Sequence, residues 1–237
     1  FLVIACCAMP CPLFAGAARP SGDAAHSLTV GGRTRTYRVH VPHRTSLQAA
    51  LPVVIALHGD QGSARTIERG SGFGEKADEA GFLAVYPNGT SWGHLPLRSW
   101  NAGTCCGYAM NTRVDDVAFV EALLDDLTHR YPVDPRRVYV AGMSNGGMLA
   151  YRLACEVSDR IAAIAAVAGA MTFAPCTPTQ PVAVLIVHGT EDAYVPYRGG
   201  RSALTGDERI DPSVEEATSF WARHNGCPRT PTSARFG

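Results

Sequence analysis

Short apolar runs alternate along this chain with segments of helical periodicity. Ser27-Leu28-Thr29-Val30 and Thr36-Tyr37-Arg38-Val39-His40-Val41 flank Gly31-Gly32, a pattern that predicts a β-hairpin. Residues 52–57 are continuously apolar, as expected of a strand covered on both faces of a parallel sheet. They end in the turn His58-Gly59-Asp60-Gln61-Gly62. A helix is predicted over residues 66–80, with Gly70, Gly72 and Gly74 weakening the pattern. The next strand, residues 82–86, stops at Pro87-Asn88-Gly89. Residues 87–114 show no periodicity but carry Trp92, Trp100, Asn101, Cys105, Cys106 and Tyr108. So long an irregular stretch inside a compact domain is usually functional, and the aromatics make it a candidate substrate-facing loop.

Asp115-Asp116 then open an amphipathic helix with Val117, Val120, Leu124 and Leu127 on one face. The paired aspartates suit helix capping better than a metal site. Residues 138–142 read as a strand and 145–156 as a helix. Residues 161–167 and 182–187 read as two further buried strands, and a last helix covers about 212–224. Alternation of this kind predicts a doubly wound, mainly parallel α/β sheet in one domain, for which 237 residues suffice.

Charge narrows the choice of partner. The 21 basic side chains balance 21 acidic ones, which argues against nucleic acid or an anionic membrane as the main target. The N-terminal run Phe1-Leu2-Val3-Ile4-Ala5-Cys6-Cys7-Ala8-Met9, broken by Pro10 and Pro12 and closed by Phe14-Ala15-Gly16-Ala17-Ala18, resembles a secretory signal lacking its basic start. It is too short and proline-broken to serve as a stable membrane span. Val3-Ile4-Ala5-Cys6 also permits a lipoprotein reading. Residues 1–18 are therefore expected to be a signal remnant, and residues 26–237 the folded domain of a secreted, periplasmic or lipid-anchored protein. Past that signal the cysteines are Cys105, Cys106, Cys155, Cys176 and Cys227. Cys155 and Cys176 flank one strand and suit a bridge. No cysteine spacing fits a zinc site.

The chemistry centres on Val138-Tyr139-Val140-Ala141-Gly142-Met143-Ser144-Asn145-Gly146-Gly147-Met148. This is G-x-S-x-G between a strand and a helix, a turn so tight that the positions two before and two after the serine must be small. Ser144 is the expected nucleophile. Its oxyanion hole would use the backbone N–H of Asn145 and of Asp60, or of Gln61 in place of Asp60. The acid should follow a later strand, and Val187-His188-Gly189-Thr190-Glu191-Asp192 supplies Asp192, with Glu191 in reserve. His58 precedes the serine and reads as structural. After Asp192 the sequence offers only His224, at a helix end where histidines commonly serve helix carbonyls. The triad is incomplete as written.

Taken together, Leu57-His58-Gly59, Tyr86-Pro87-Asn88-Gly89, Trp100-Asn101, Cys105-Cys106-Gly107-Tyr108-Ala109, Val114-Asp115-Asp116-Val117, Gly142-Met143-Ser144-Asn145-Gly146-Gly147 and His188-Gly189-Thr190-Glu191-Asp192 with Val195-Pro196-Tyr197 resemble the secreted polyhydroxybutyrate depolymerases and feruloyl esterases. The resemblance covers about residues 26–230. It implies an α/β-hydrolase fold, no cofactor, and hydrolysis of a carboxylic ester, either a polyhydroxyalkanoate-type polyester or a feruloyl ester on polysaccharide, through an acyl-enzyme on Ser144 with Asp192 as acid. In that family a further cysteine and a Gly-His segment carrying the base follow the stretch resembling residues 220–227. The expectation is therefore a serine esterase cut short at both ends and nearly inactive as it stands. The rival is a non-catalytic, ligand-binding relative of the same fold.

Overall fold

A computed structural model describes residues 22–43, 50–93, 95–205, 208–228 and 230–234. The signal-like residues 1–18 lie outside them. The hairpin forms as β1 (Gly22–Val30) and β2 (Arg33–Val41), its turn made by Gly31 and Gly32, both at positive φ. β3 (Leu51–Leu57) leads through α1 (Ala64–Ser71) and α2 (Phe73–Ala80) to β4 (Leu83–Pro87). After the short α3 (Gly107–Asn111), α4 (Asp116–Arg130), β5 (Val133–Met143), α5 (Asn145–Glu156), β6 (Ala163–Val167) and β7 (Ala183–Val187) follow. A small ribbon, β8 (Gly200–Arg201) with β9 (Ile210–Asp211), precedes α6 (Val214–His224).

The main sheet runs β1-β2-β4-β3-β5-β6-β7. β2 meets β4 antiparallel, and from β4 to β7 every pairing is parallel. The carboxyl ends of the parallel strands therefore open on one edge, where ligands of open α/β sheets bind. One face packs Val53, Ile55, Leu57, Leu83 and Val85 against Phe119, Leu123, Leu127 and Leu149. The other packs Ala56, Ala84 and Tyr86 against Ala64 and Ala77.

Two expectations need correction. The single helix over residues 66–80 is two helices, because Gly72 takes a left-handed conformation at φ 67 and turns the chain between them. Ser63 starts the first with a capping box to Thr66. The strands within 161–167 and 182–187 are not buried on both faces. Ile164 and Ala166 are buried, but Val167, Leu185 and Val187 are exposed. β7 is an edge strand, α6 packs on it, and among the described residues no helix covers the face that bears Leu185 and Val187.

The bridge between Cys155 and Cys176 forms, tying the end of α5 to the connection before β7. Cys105 is joined to Cys106, and Cys227 is an exposed free thiol. The paired aspartates divide their work. Asp115 caps α4 by accepting the Ala118 N–H at 2.9 Å. Asp116 is fully buried, 2.6 Å from the Arg35 guanidinium, and takes the Asn101 N–H at 2.7 Å. Burial pushes its carboxyl up while Arg35 opposes the shift. Arg35 also lies over the Phe119 ring at 4.0 Å, so hairpin, α4 and the 99–106 loop meet at one ion pair.

Removing one member of a buried pair strands the other charge. Asp116→Ala is therefore predicted to cost about 3–5 kcal/mol in urea unfolding, against about 1 kcal/mol for Asp115→Ala, which removes a cap. Equal losses for the two variants would contradict this division.

Candidate active site

β5 delivers Ser144 to the carboxyl edge of the sheet, and α5 begins at the next residue. Ser144 sits at φ 53, ψ −120, a strained conformation for a non-glycine residue, held by its N–H to Val167 O at 2.8 Å. The neighbours must be bare. A Cβ on Gly142 would collide with the Gly146 backbone, and one on Gly146 with the carbonyls of Leu57 and His58. The requirement for small residues at these two positions is thus met by direct backbone contact. A Cβ on Gly59 would lie 3.5 Å from the Ser144 Cβ, so the turn after β3 runs beside the serine.

Asn145 opens α5, where first-turn N–H groups lack helical acceptors. Its side chain is fully buried and grips the backbone of Trp100 twice. Oδ1 accepts the Trp100 N–H at 2.7 Å, and Nδ2 donates to Trp100 O at 3.0 Å. Sequence reasoning assigned Asn145 only a backbone role, since nothing in its spacing points to a partner so distant along the chain. Asp60 and Gln61 stand at the tip of the Gly59–Gly62 turn, which closes through Gly62 N–H to Gly59 O at 3.1 Å.

His58 is locked beneath this turn. Nε2 accepts the Gly89 N–H at 3.0 Å, so Nδ1 carries the proton and donates to Gly59 O at 2.7 Å. Burial pushes its pKa down to about 4, leaving the ring neutral at pH 7. With both nitrogens committed it is unsuited to serve as a base.

Ser144, Asp60 and Gln61 line one cavity of about 510 Å³, with Cys106, Gly107 and Met148 on one side and Tyr194, Val195, Leu204, Thr205 and Arg209 on the other. The second group belongs to an excursion between β7 and α6, of which sequence reasoning used only Asp192 and the Val195-Pro196-Tyr197 motif. Its exposed Tyr194 and Leu204 are apolar residues in a stretch of glycines and charges, the one available signal. Within it, Arg209 is paired with the buried Asp211 at 2.6 Å.

Asp192 follows β7 at the same edge. Its Oδ1 accepts the N–H groups of Tyr194 and Val195, each at 2.9 Å, and its Oδ2 lies 3.6 Å from His188 Nε2. It stands next to the cavity wall rather than among the lining residues. Glu191 is exposed. His188 is buried and spends Nε2 on Val195 O at 2.7 Å.

The aromatic loop corrects the sequence reading. Trp100 faces no substrate, because it is fully buried, its ring tilted against His58 at 4.8 Å, with its indole N–H on His58 O at 2.9 Å. Trp92 is exposed and Tyr108 half-buried, and neither lines the cavity. His224 bonds Gln180 O at 3.2 Å and stacks on Phe220. Gln180 precedes β7, so His224 lies at the opposite end of that strand from the serine edge, roughly 16 Å away at strand rise.

Among known proteins, the family model described as Esterase PHB depolymerase matches residues 35–195. NocK of Nocardia uniformis subsp. tsuyamanensis is 40% identical over 218 residues, covering 86% of this chain and 61% of NocK. Feruloyl esterase B of Piromyces equi is 32% identical over 189 residues, covering 77% of this chain and 34% of that protein. The chain thus spans about three fifths of one relative and a third of the other. Among solved structures, the acetyl xylan esterase from Aspergillus awamori superposes with TM-score 0.52 at 18% identity, covering 62% of this chain and 52% of its own. Native pOPH does so with TM-score 0.56 at 18% identity, covering 78% and 73%. Both likenesses are of fold, the α/β-hydrolase fold.

The lowered pKa of His58 makes a prediction about pH. Unfolding restores the ordinary value near 6.5, so the unfolded chain binds this proton first and stability falls as pH drops from 6.5 towards 4. NMR titration of the His58 ring is predicted to show a midpoint near 4. A midpoint near 6.5 would overturn the assignment.

Proposed function

The chain belongs to the Esterase PHB depolymerase family, and on that premise we propose that residues 26–237 form the catalytic domain of a serine ester hydrolase working through an acyl-enzyme on Ser144. The observation that carries the reading is the strained Ser144 turn opening into a cavity beside the Gly59–Gly62 loop. Attack by Oγ on an ester carbonyl creates an oxyanion. The N–H groups of Asn145 and of Asp60 or Gln61 would receive it, with the positive end of α5 behind them. Asp192 is the proposed acid, its carboxylate already oriented by two backbone N–H groups.

The base is the open position. Among the described residues His58 has both nitrogens engaged, His188 spends Nε2 on Val195 O and does not line the Ser144 cavity, and His224 is at the far end of β7. This favours the second reading, a ligand-binding relative, for any form of the protein in which no histidine reaches Ser144. Met148, Val195, Leu204 and Tyr194 give the cavity an apolar wall, suited to a hydroxyalkanoate polyester or a hydroxycinnamoyl ester. The feruloyl esterase among the relatives supports the latter class. We propose export as well, on the strength of the Cys155–Cys176 bridge, which persists in oxidising compartments. No described helix is long and apolar enough to cross a membrane.

The test is turnover of p-nitrophenyl acetate by the 1–237 polypeptide. Loss of the base from a Ser-His-Asp unit costs on the order of 10⁶ in kcat in the subtilisin case, so turnover is predicted to be barely above background and to fall little further in Ser144→Ala, since what remains comes from the oxyanion hole and binding. Robust turnover abolished by Ser144→Ala would place a working base within these residues. Robust turnover indifferent to Ser144→Ala would remove the nucleophile assignment.

A further inference from the structure

Away from the serine edge, the hairpin and α2 bring together His40, His43 and Asp78. His40 Nε2 lies 3.2 Å from Asp78 Oδ1, His43 Nδ1 lies 2.9 Å from the same oxygen, and all three donor atoms fall within 4.8 Å of one another. Donors at the corners of a zinc tetrahedron stand about 3.3 Å apart, given Zn–N and Zn–O bonds near 2.0–2.1 Å. Two of the three separations are close to that edge, and the third is within 4.8 Å. As they stand these contacts are hydrogen bonds to Asp78 Oδ1, which also accepts the His43 backbone N–H at 2.9 Å, and an ion would take the place of the ring protons. A fourth corner is open to water because His43 and Asp78 reach solvent.

A second observation points the same way. The other ring nitrogen of His40, Nδ1, meets Asp23 Oδ1 at 2.9 Å. A carboxylate on the far nitrogen fixes the tautomer and aims Nε2, the arrangement found behind most metal-binding histidines. The other oxygen of Asp23 makes a looser ion pair, at 3.8 Å, with Arg38, whose nearer partner is Glu68 at 2.7 Å. Gly74 of α2 leaves room beneath the His40 ring, where a Cβ would already be in contact at 3.8 Å.

We propose that His40 Nε2, His43 Nδ1 and the Asp78 carboxylate bind a divalent metal of the zinc class, with Asp23 as the positioning residue behind His40. Two imidazoles and one carboxylate select zinc, cobalt or nickel over calcium or magnesium. The ion would fasten β2 and the chain after it to α2. Its role is structural, separate from ester hydrolysis. Sequence reasoning looked for zinc among the cysteines and so passed over this site.

The experiment is calorimetric titration of the metal-stripped 1–237 chain with Zn²⁺, together with the visible spectrum on Co²⁺ addition. The expected result is one saturable site, a raised Tm with Zn²⁺, and a tetrahedral Co²⁺ band without thiolate charge transfer. His43→Ala, at an exposed position, and Asp78→Asn, at a half-buried one, should each abolish it. Asp23→Asn should keep the stoichiometry and weaken affinity by about 10–100-fold. No saturable binding, binding unchanged in His43→Ala, or a thiolate band from Cys227 would overturn the proposal.

Discussion

The molecule depends on how closely the β5–α5 turn approaches the end of β3. Gly146 lies against the carbonyls of Leu57 and His58, and Gly142 against the backbone of Gly146, with space for no side chain. That contact fixes the strained backbone of Ser144, directs α5 at the cavity and sets the Gly59–Gly62 turn beside the serine. Strain of this kind costs of order 1–3 kcal/mol and persists only where the surroundings over-determine it. Here the parallel register of β3, β5 and β6 does so, with Ser144 N–H anchored on β6.

Around that contact the protein uses buried polar groups as fasteners. Asn145 and His58 together clasp Trp100 and Gly89, Asp116 takes the backbone of Asn101, and Arg152 donates to Asn101 O at 2.8 Å. Each polar atom so engaged satisfies an irregular backbone that would otherwise be buried without partners. Residues 99–106 are thereby held in place, and Cys106 at their end lines the cavity. The changeable wall is the excursion after β7, where Tyr194, Leu204 and Arg209 face the serine.

Much of this was legible in the sequence for one physical reason. Period and small-residue spacing are local, so the hairpin, the parallel strands, α4, α5, the Ser144 turn and the flanking glycines could be read directly. Cys155 and Cys176 stood out as a candidate bridge by their places around one strand, though the sequence alone left the connectivity open. What escaped was long-range. Trp100 resembles a substrate aromatic until Asn145 and His58 are seen to enclose it, and Asp116 resembles a second cap until Arg35 arrives from the hairpin. Edge and interior strands share the same apolar composition, so Leu185 and Val187 gave no warning of their exposure. The metal cluster joins residues that only the fold makes neighbours.

The central claim is that Ser144 is the residue this architecture exists to present. It is tested most directly by prolonged incubation of the chain with a fluorophosphonate, followed by peptide mass mapping. The account predicts a single adduct, however slowly it accumulates, on the peptide containing Ser144. An adduct on a different serine, or none after Ser144 is shown to be accessible, would contradict it.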